Sequence, residues 1–324
     1  MENVRLSKNS YRLDGELKNV PVAFVNGLRR ILLSEIPVVA VSNIQILTNS
    51  SSMTHEMIHQ RVSMLPIAVK AEEVSVIRDT KLELRITVTQ DTPLDVTTDD
   101  FVAAGPRGNI LLRDRDLNTP MFFLRLKPGE QLHIRANLSI VPTGMSQVCV
   151  STFKNHIDPD IATVDRDTFV ARAGEDPAAR LEAARVFDAF HIQRSFSRNK
   201  ETHRPDWFDF AVESIGVYTA PELLKKACEI YLGKVTEWAK TPILRESDGW
   251  YRMETEGESF TLGQLLQEVI YLGGLVEYVS RDIGHPLTPK LVLRFKTKTV
   301  QPEAVVERFK AEASALCENV LKSV

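Results

Sequence analysis

Two histidines and a run of aspartates are the groups whose spacing could bind a metal ion. His55 and His59 are four residues apart, so a helix would place both imidazoles on one face, as in many zinc sites. No third ligand lies near them in the sequence, which disfavours a metal site there. The acidic run consists of Asp158, Asp160, Asp165 and Asp167. Catalytic metals require carboxylates clustered on a rigid loop, whereas this run lies in a linker-like region and is expected to form solvated surface. We therefore expect neither a metal nor a cofactor.

Nucleophilic chemistry has equally little support in the sequence. The cysteines Cys149, Cys228 and Cys317 lie far apart and form no C-x-x-C pair, which excludes a cysteine-rich zinc site and disfavours a disulfide framework. The chain contains no phosphate-binding G-x-x-x-x-G-K-[ST] loop and no H-E-x-x-H motif. A free-standing α+β enzyme of unknown substrate remains an alternative that these motifs do not favour.

The overall composition is that of a globular protein without a strong charge bias. The 324 residues suit two or three domains, and the formal net charge is −3. A protein that grips DNA by its phosphates usually carries a basic excess, so contact with DNA is expected to be indirect, and a DNA-binding transcription factor is disfavoured. No apolar run is long enough to span a membrane, and Met1–Asn9 is too polar for a signal peptide. These features predict a cytoplasmic protein.

Four amphipathic helices stand out from the periodicity. They are predicted at 20–36, 221–239, 260–272 and 301–324. Asn19 is the predicted N-cap of the first helix, and Pro37 ends its pattern. Between the first two helices, alternating apolar and polar residues from about residue 70 to 155 predict a β-rich insert. An acidic, alanine-rich stretch follows at 158–190, with a helix expected over Asp176–Phe190.

The first and third helices share a weak internal repeat. Ala23–Leu32 aligns with Thr261–Ile270, so that Asn26 matches Gln264 and Leu28 matches Leu266. The order of the surrounding elements also recurs. Two interpretations remain open on this evidence: a four-helix core with quasi-twofold symmetry inside one chain, or two independent α+β domains joined at Pro242.

Several motifs resemble one known family in consistent order. Asn26–Leu33 (NGLRRILL), followed by Glu35-Ile36-Pro37, resembles the first helix of the alpha-like subunits of multisubunit RNA polymerases. Glu56, Arg61 and Pro66 match the family's next segment, although Gln60 and Ser63 replace its usual histidine and glycine. The segments 126–132 and 208–227 resemble the family's insert and its second dimerisation helix.

The C-terminal part resembles the small partner subunit, the eleventh-subunit type. Its signature is T-L-G-x-L-L, then H-P-L, then a strand and a last helix; here these are Thr261–Leu266, His285–Leu287, Lys290–Thr297 and Gln301–Val324. The chain thus resembles a fusion of the third-subunit and eleventh-subunit types, as in polymerases of large cytoplasmic DNA viruses. Many family members carry a cysteine-rich metal loop before the return strand, but this chain has no cysteine between residues 150 and 227.

The resemblance implies an α+β fold with two alpha-like halves packed as an intramolecular pseudo-dimer through a four-helix core. The first half would comprise 1–67 and 201–241, the insert 68–200 with its acidic helical end, and the second half 242–324. The implied core residues are Val25, Ile31, Leu32, Leu224, Ala227, Tyr231, Leu262, Leu266, Phe309, Leu316 and Val320.

The resemblance also implies a role as a non-catalytic scaffold subunit that docks the two large catalytic subunits. Arg30 and Leu33 match the residues with which the family binds the second-largest subunit. Glu268 aligns with Arg30, so the two halves would present opposite charges to the largest and second-largest subunits. A small zinc-binding polymerase subunit is a further implied partner. The resemblance to viral polymerases implies that the chain acts in the cytoplasm, in a viral factory or a virion. The expected partner-binding residues are Asn26, Leu28, Arg29, Arg30, Leu33, Glu56, Arg61 and Glu268.

Overall fold

The chain folds into eight helices and fourteen strands among the residues that the computed structural model describes, which are 1–141, 148–256, 260–285, 287, 290–297 and 299–322. The first elements are β1 (Glu2–Leu6), β2 (Arg12–Lys18), α1 (Val22–Ser34), β3 (Val38–Asn49), α2 (His55–Ser63) and α3 (Val74–Asp79). Then come β4 (Lys81–Thr87), β5 (Leu94–Thr97), β6 (Val102–Ala104), β7 (Phe122–Leu126), β8 (Gln131–Val141) and β9 (Cys149–Asn155). The remainder is α4 (Pro159–Ala171), α5 (Pro177–Val186), β10 (Trp207–Ser214), α6 (Ala220–Ala239), β11 (Leu244–Arg245), β12 (Trp250–Glu256), α7 (Phe260–Leu272), β13 (Val276–Asp282), β14 (Lys290–Thr297) and α8 (Pro302–Leu321).

Each half combines one antiparallel sheet with two helices, so the predicted α+β class is confirmed. The first half has strand order β1-β2-β10-β9 with α1 and α6, and the second has order β11-β12-β14-β13 with α7 and α8. Strand β10 alternates strictly, burying Phe208, Phe210 and Val212 and directing the intervening residues outward. This alternation gives each sheet one apolar face for the helices to cover.

The four helices share a single hydrophobic core that crosses from one half to the other. Helix α1 packs on α6 and α7, and α8 packs on α6 and α7. One continuous buried cluster contains Val25, Ile31, Leu32, Leu224, Ala227, Tyr231, Leu262, Leu266, Phe309 and Val320, and Leu316 packs partly buried against it. Two independent domains joined at Pro242 would have separate cores, so that alternative is wrong.

The insert has a core of its own and begins earlier than the sequence suggests. It contains the sheet β3-β8-β4-β6 and the pair β5-β7, packed with α2 and α3. Within β3, Val38 belongs to the four-helix core, whereas Val39 and Val41 belong to the insert core. The expected boundary at residue 67 is therefore wrong, because β3 pairs along its length with β8. At the other end, β9 pairs with β10 and so belongs to the first half rather than to the 68–200 insert.

The insert is fixed to the first half by Tyr218, which precedes α6. Its buried hydroxyl accepts a hydrogen bond from the Ala71 backbone N–H at 3.0 Å and donates to Glu72 Oε2 at 3.3 Å. Lys226 of α6 bonds to the same carboxylate and thereby lowers the pKa of Glu72. Lys70 pairs with Glu222 at 2.9 Å. These contacts hold residues 70–72 of the insert against the first turns of α6.

The acidic run belongs to a helix that sequence periodicity missed. Asp158 is the N-cap of α4 and accepts hydrogen bonds from the backbone of Asp160 and Ile161, while Asp165 accepts one from Ser195 Oγ at 2.6 Å. The linker-like assignment is thus wrong, since a capping aspartate followed by proline starts a helix. The one helix expected here, over Asp176–Phe190, runs as α5 and continues into a π-helical turn at Phe187–His191. No helix among the described residues has the length and apolar character to cross a membrane.

We predict that Phe309→Ala lowers the free energy of unfolding of the whole chain by about 3–5 kcal/mol, the usual cost of emptying a buried aromatic site. Phe309 of α8 is 1% exposed and packs edge-on against Trp238 of α6, with ring centroids 5.3 Å apart. Denaturant unfolding, followed by both tryptophan fluorescence and far-UV circular dichroism, measures the loss. Leu181→Ala, on the exposed face of α5, is the control with little effect. If the first half of the Phe309→Ala variant still unfolded at the same denaturant concentration as in wild type, the shared core would be contradicted.

Candidate partner-docking site at the seam between the halves

The contact of α1 with α7, which we call the seam, joins the two halves with opposite helix directions. Ala23 in the first turn of α1 meets Glu268 near the end of α7. Arg30, near the end of α1, borders the same groove as Phe260 and Thr261 in the first turn of α7. The repeat noticed in the sequence is therefore a quasi-twofold relation, with Arg30 and Glu268 at opposite ends of the seam.

Glu268 supplies the N-terminal cap that α1 lacks. The helix starts after Pro21 without a side-chain cap of its own, and Asn19 lies upstream with a φ of 57°, so the predicted Asn19 cap is wrong. Instead, Glu268 Oε2 accepts a hydrogen bond from the Ala23 backbone N–H at 3.2 Å. Its Oε1 lies 3.4 Å from Arg204 Nη1, and the Glu268 side chain is 4% exposed. A carboxylate at this position also interacts favourably with the helix dipole.

Two of the expected docking residues are therefore structural. Glu268 is buried inside the chain, so its expected contact with a large subunit is wrong. Leu28 is 0% exposed and belongs to the four-helix core, because it lies on the face of α1 that packs against the other helices. Neither side chain is accessible to a partner.

The remaining candidates on α1 lie along its outer face. Arg29 is half-buried and donates two hydrogen bonds to Asn26 Oδ1, at 3.2 and 3.0 Å. Arg30 is exposed, and within the described parts of the chain its guanidinium has neither a hydrogen bond nor an ion pair. Leu33 is half-buried one turn further on. This face offers a free cation beside an apolar side chain.

Glu56 and Arg61 lie apart from the seam, on α2 of the insert. Both are exposed, and the described residues show no ion pair between them. A hydrogen bond to its own backbone N–H lowers the pKa of Glu56, and the Arg61 guanidinium lies 6.0 Å from the centroid of the Phe123 ring. His55 and His59 are exposed on the same helix. Pro286 of the His285–Leu287 motif lies outside the described residues.

A groove runs along the outer side of α1 from its first turn to Arg30, beside the start of α7, and we call it the seam groove. Its volume is about 440 Å³, and it is lined by Val22, Ala23, Asn26, Gly27, Arg30, Phe153, Phe260, Thr261, Gln264 and Arg281. Arg281 of β13 donates a hydrogen bond to Gln267 Oε1 at 3.1 Å and another to Gln264 Oε1. Its guanidinium lies 5.5 Å from the centroid of the Phe260 ring. Sequence analysis missed Arg281 and Phe260, because only the fold brings β13 and the start of α7 beside α1.

Close packing next to the groove depends on a glycine. A Cβ atom on Gly27 would lie 2.2 Å from Tyr231 Oη. The Tyr231 ring cannot readily move away, since it is 1% exposed and stacks on Phe24 with centroids 5.6 Å apart. Burial raises the pKa of Tyr231 well above its usual value, and its hydroxyl has no hydrogen-bond partner among the described residues.

The cysteines serve packing rather than chemistry. Cys149 donates to the Leu32 carbonyl at 3.3 Å, and burial raises its pKa to about 12. Cys228 of α6 has a raised pKa because it hydrogen-bonds to Cys317 of α8 and is buried. Thiols held protonated in this way are poor nucleophiles.

One group of possible metal ligands also converges in the first half. Ligand atoms of Glu16, His156 and Asp209 lie within 4.8 Å of one another. Protein partners already occupy them: His156 Nδ1 is 2.6 Å from Asp209 Oδ1, and Trp207 Nε1 donates to Glu16 Oε2 at 3.0 Å. The group is accounted for as a hydrogen-bond network across β2 and β10.

Comparison with known proteins gives a consistent result for both halves. Residues 16–234 match one family model for the RNA polymerase Rpb3/Rpb11 dimerisation domain, and residues 251–323 match a second. The chain is 24% identical over 253 residues to DNA-directed RNA polymerase subunit Rpo3 of Methanosarcina acetivorans, covering 68% of this chain and 90% of that protein. It is 25% identical over 272 residues to subunit 3 of RNA polymerases II, IV and V of Arabidopsis thaliana, covering 68% and 84%. It is 22% identical over 272 residues to subunit rpac1 of RNA polymerases I and III of Dictyostelium discoideum, covering 71% and 78%.

We predict that Glu268→Ala lowers the free energy of unfolding by about 1–2 kcal/mol, the usual cost of losing a helix cap. Glu268→Gln keeps an acceptor for the Ala23 N–H and should cost less. Arg204→Ala should cost under about 1 kcal/mol, since Arg204 is 53% exposed and the pair is partly screened. Chemical denaturation measures all three. Equal stability of Glu268→Ala and wild type would contradict the capping role.

We predict that Gly27→Ala destabilises the chain although alanine is the better helix former. Overpacking against Tyr231 costs about 1–3 kcal/mol, against roughly 1 kcal/mol gained in helix propensity. Tyr231→Phe alone should leave stability unchanged or raise it, because it removes a buried hydroxyl without a partner. The double variant with Gly27→Ala and Tyr231→Phe should recover part of the lost stability, which thermal unfolding measures. A more stable Gly27→Ala variant would show that the helices are not this close.

Proposed function

The chain belongs to the RNA polymerase Rpb3/Rpb11 dimerisation-domain family, and we propose that it is a non-catalytic assembly subunit of a DNA-directed RNA polymerase. The observation that carries the proposal is the single core shared by α1, α6, α7 and α8. A scaffold needs a rigid body with side chains free to bind partners. The shared core and the exposed Arg30 support this role. All three cysteines are buried, and the pKa of Cys149 and of Cys228 is raised, which supports a packing role instead of a catalytic one.

We further propose that the chain unites two subunit types that form separate polypeptides in other polymerases. Two dimerisation-domain models match successive segments of this one chain, which supports a fusion. Covalent linkage raises the effective concentration of one half around the other to roughly the millimolar range. Pairing of the halves then no longer depends on the amounts of two separate proteins. The fusion also supports a viral polymerase acting in the cytoplasm, a viral factory or a virion.

The proposed partners are the largest and second-largest polymerase subunits, together with a small zinc-binding subunit. Arg30 is proposed to bind the second-largest subunit with Leu33, because it is exposed and lacks a partner among the described residues. An unpaired guanidinium can form a bidentate contact with a carboxylate. Asn26 accepts hydrogen bonds from Arg29 and so positions it beside Arg30. On the insert, the exposed Glu56 and Arg61 are proposed as further contacts. Contact with DNA is indirect, through these partners.

We predict that Arg30→Glu weakens association with the second-largest subunit about tenfold or more, since reversing an interface charge creates like-charge repulsion. Co-expression of the full chain with that subunit, followed by affinity co-purification, measures the loss. The matched control is Arg85→Glu, an exposed arginine of β4 in the insert. A folded wild-type chain that associates with neither large subunit would overturn the proposed function. Steep, salt-dependent binding of the isolated chain to duplex DNA would instead favour a DNA-binding factor.

A further inference from the structure

We propose that the seam groove receives an acidic segment of the second-largest subunit, and that Arg281 of the second half binds this segment together with Arg30 of the first half. The inference rests on the proposed function and extends it. The docking site becomes a composite of both halves instead of a patch on α1 alone. The charge of the groove, its exposed aromatic surface and the asymmetry of the seam support it.

Among the described residues, the groove carries positive charge that no lining carboxylate neutralises. Arg30 and Arg281 both line it, and no carboxylate is among its described lining residues. The hydrogen-bond acceptors of Arg281 are the amide oxygens of Gln264 and Gln267, which orient the guanidinium without cancelling its charge. Arg281 is thus held in place by its amide partners, and Arg30 is exposed beside it. Two guanidinium groups without carboxylate partners among the described residues are suited to binding carboxylates, because the planar fork matches their geometry.

The groove also exposes aromatic surface. Phe260 is 60% exposed at the start of α7, and Phe153 of β9 is half-buried against Phe208, with ring centroids 5.7 Å apart. An apolar surface beside cationic groups fits a polypeptide segment that places an apolar side chain next to its carboxylates. Clustered arginines recognise acidic motifs in this way. The occupant is therefore an acidic segment with at least one apolar side chain.

The opposite end of the seam cannot bind the same ligand. The position related to Arg30 by the repeat is Glu268, whose carboxylate is buried on Ala23 and paired with Arg204 from the segment before β10. The quasi-twofold relation thus gives one end with a cationic groove and one end where the related side chain is a buried, paired carboxylate. A partner that contacts Arg30 and Arg281 at once touches both halves, so its binding requires that the seam be closed.

Two substitutions of opposite charge at Phe260 test the proposal most directly. Phe260→Glu and Phe260→Lys both remove the exposed ring, but only the first adds a negative charge to the groove. We expect Phe260→Glu to weaken binding of the full chain to the purified second-largest subunit about tenfold relative to Phe260→Lys, because like charges repel. Binding is measured as Kd at two salt concentrations, and the difference should shrink at high salt. Equal Kd values for the two variants would overturn the proposal.

Arginine variants separate this inference from the proposed function. Arg281→Gln should weaken binding about as much as Arg30→Gln, Arg281→Lys should retain part of the affinity, and Arg85→Gln should bind like wild type. If Arg30→Gln weakens binding and Arg281→Gln does not, the composite site is wrong and the proposed function stands. If wild type does not bind, the proposed function itself fails. Thermal unfolding accompanies each variant; should Arg281→Gln fail to fold, the Phe260 pair decides the question.

Discussion

Burial of four apolar helix faces in one core is the interaction on which the rest of this structure depends. Helices α1 and α6 come from the first half, and α7 and α8 come from the second. Each sheet covers only one side of its own helices, so each half alone would leave an apolar helix face in water. At roughly 25 cal/mol per Å² of apolar area, closing these faces against each other is the main driving force for joining the halves. The exposed features that could bind partners are held in place by this closure.

The polar contacts at the seam make the quasi-symmetric arrangement directional. Glu268 completes the N-terminus of α1 from the other half, and Arg204 covers it from outside. At the other end, Arg30 and Arg281 border an open groove. Two helices related by a repeat thus present different chemistry at the two ends of one interface. The two ends of the seam are therefore not interchangeable as binding surfaces.

The sequence predicts the elements of the fold better than their contacts. Helix α7 has the predicted bounds, and α1, α6 and α8 lie within a few residues of theirs, because long apolar stripes at helical spacing are strong signals. Glu268 was misassigned because an alignment with Arg30 cannot show that a carboxylate is buried across an interface. The role of Arg281 was missed for the same physical reason: it lines the groove together with α1, which lies far away in the chain. Helix α4 was missed because its weakly apolar face gives little periodicity, although the Asp158-Pro159 start was a usable signal.

Native-state hydrogen exchange tests the central claim most directly, because it reports the opening free energy of each helix in the intact chain. If the four helices form one core, the slowest amides of α1, α6, α7 and α8 exchange with the same free energy, equal to that of global unfolding. A lower shared value for α7 and α8, with α1 and α6 remaining protected, would show two separately folding halves and contradict the single scaffold.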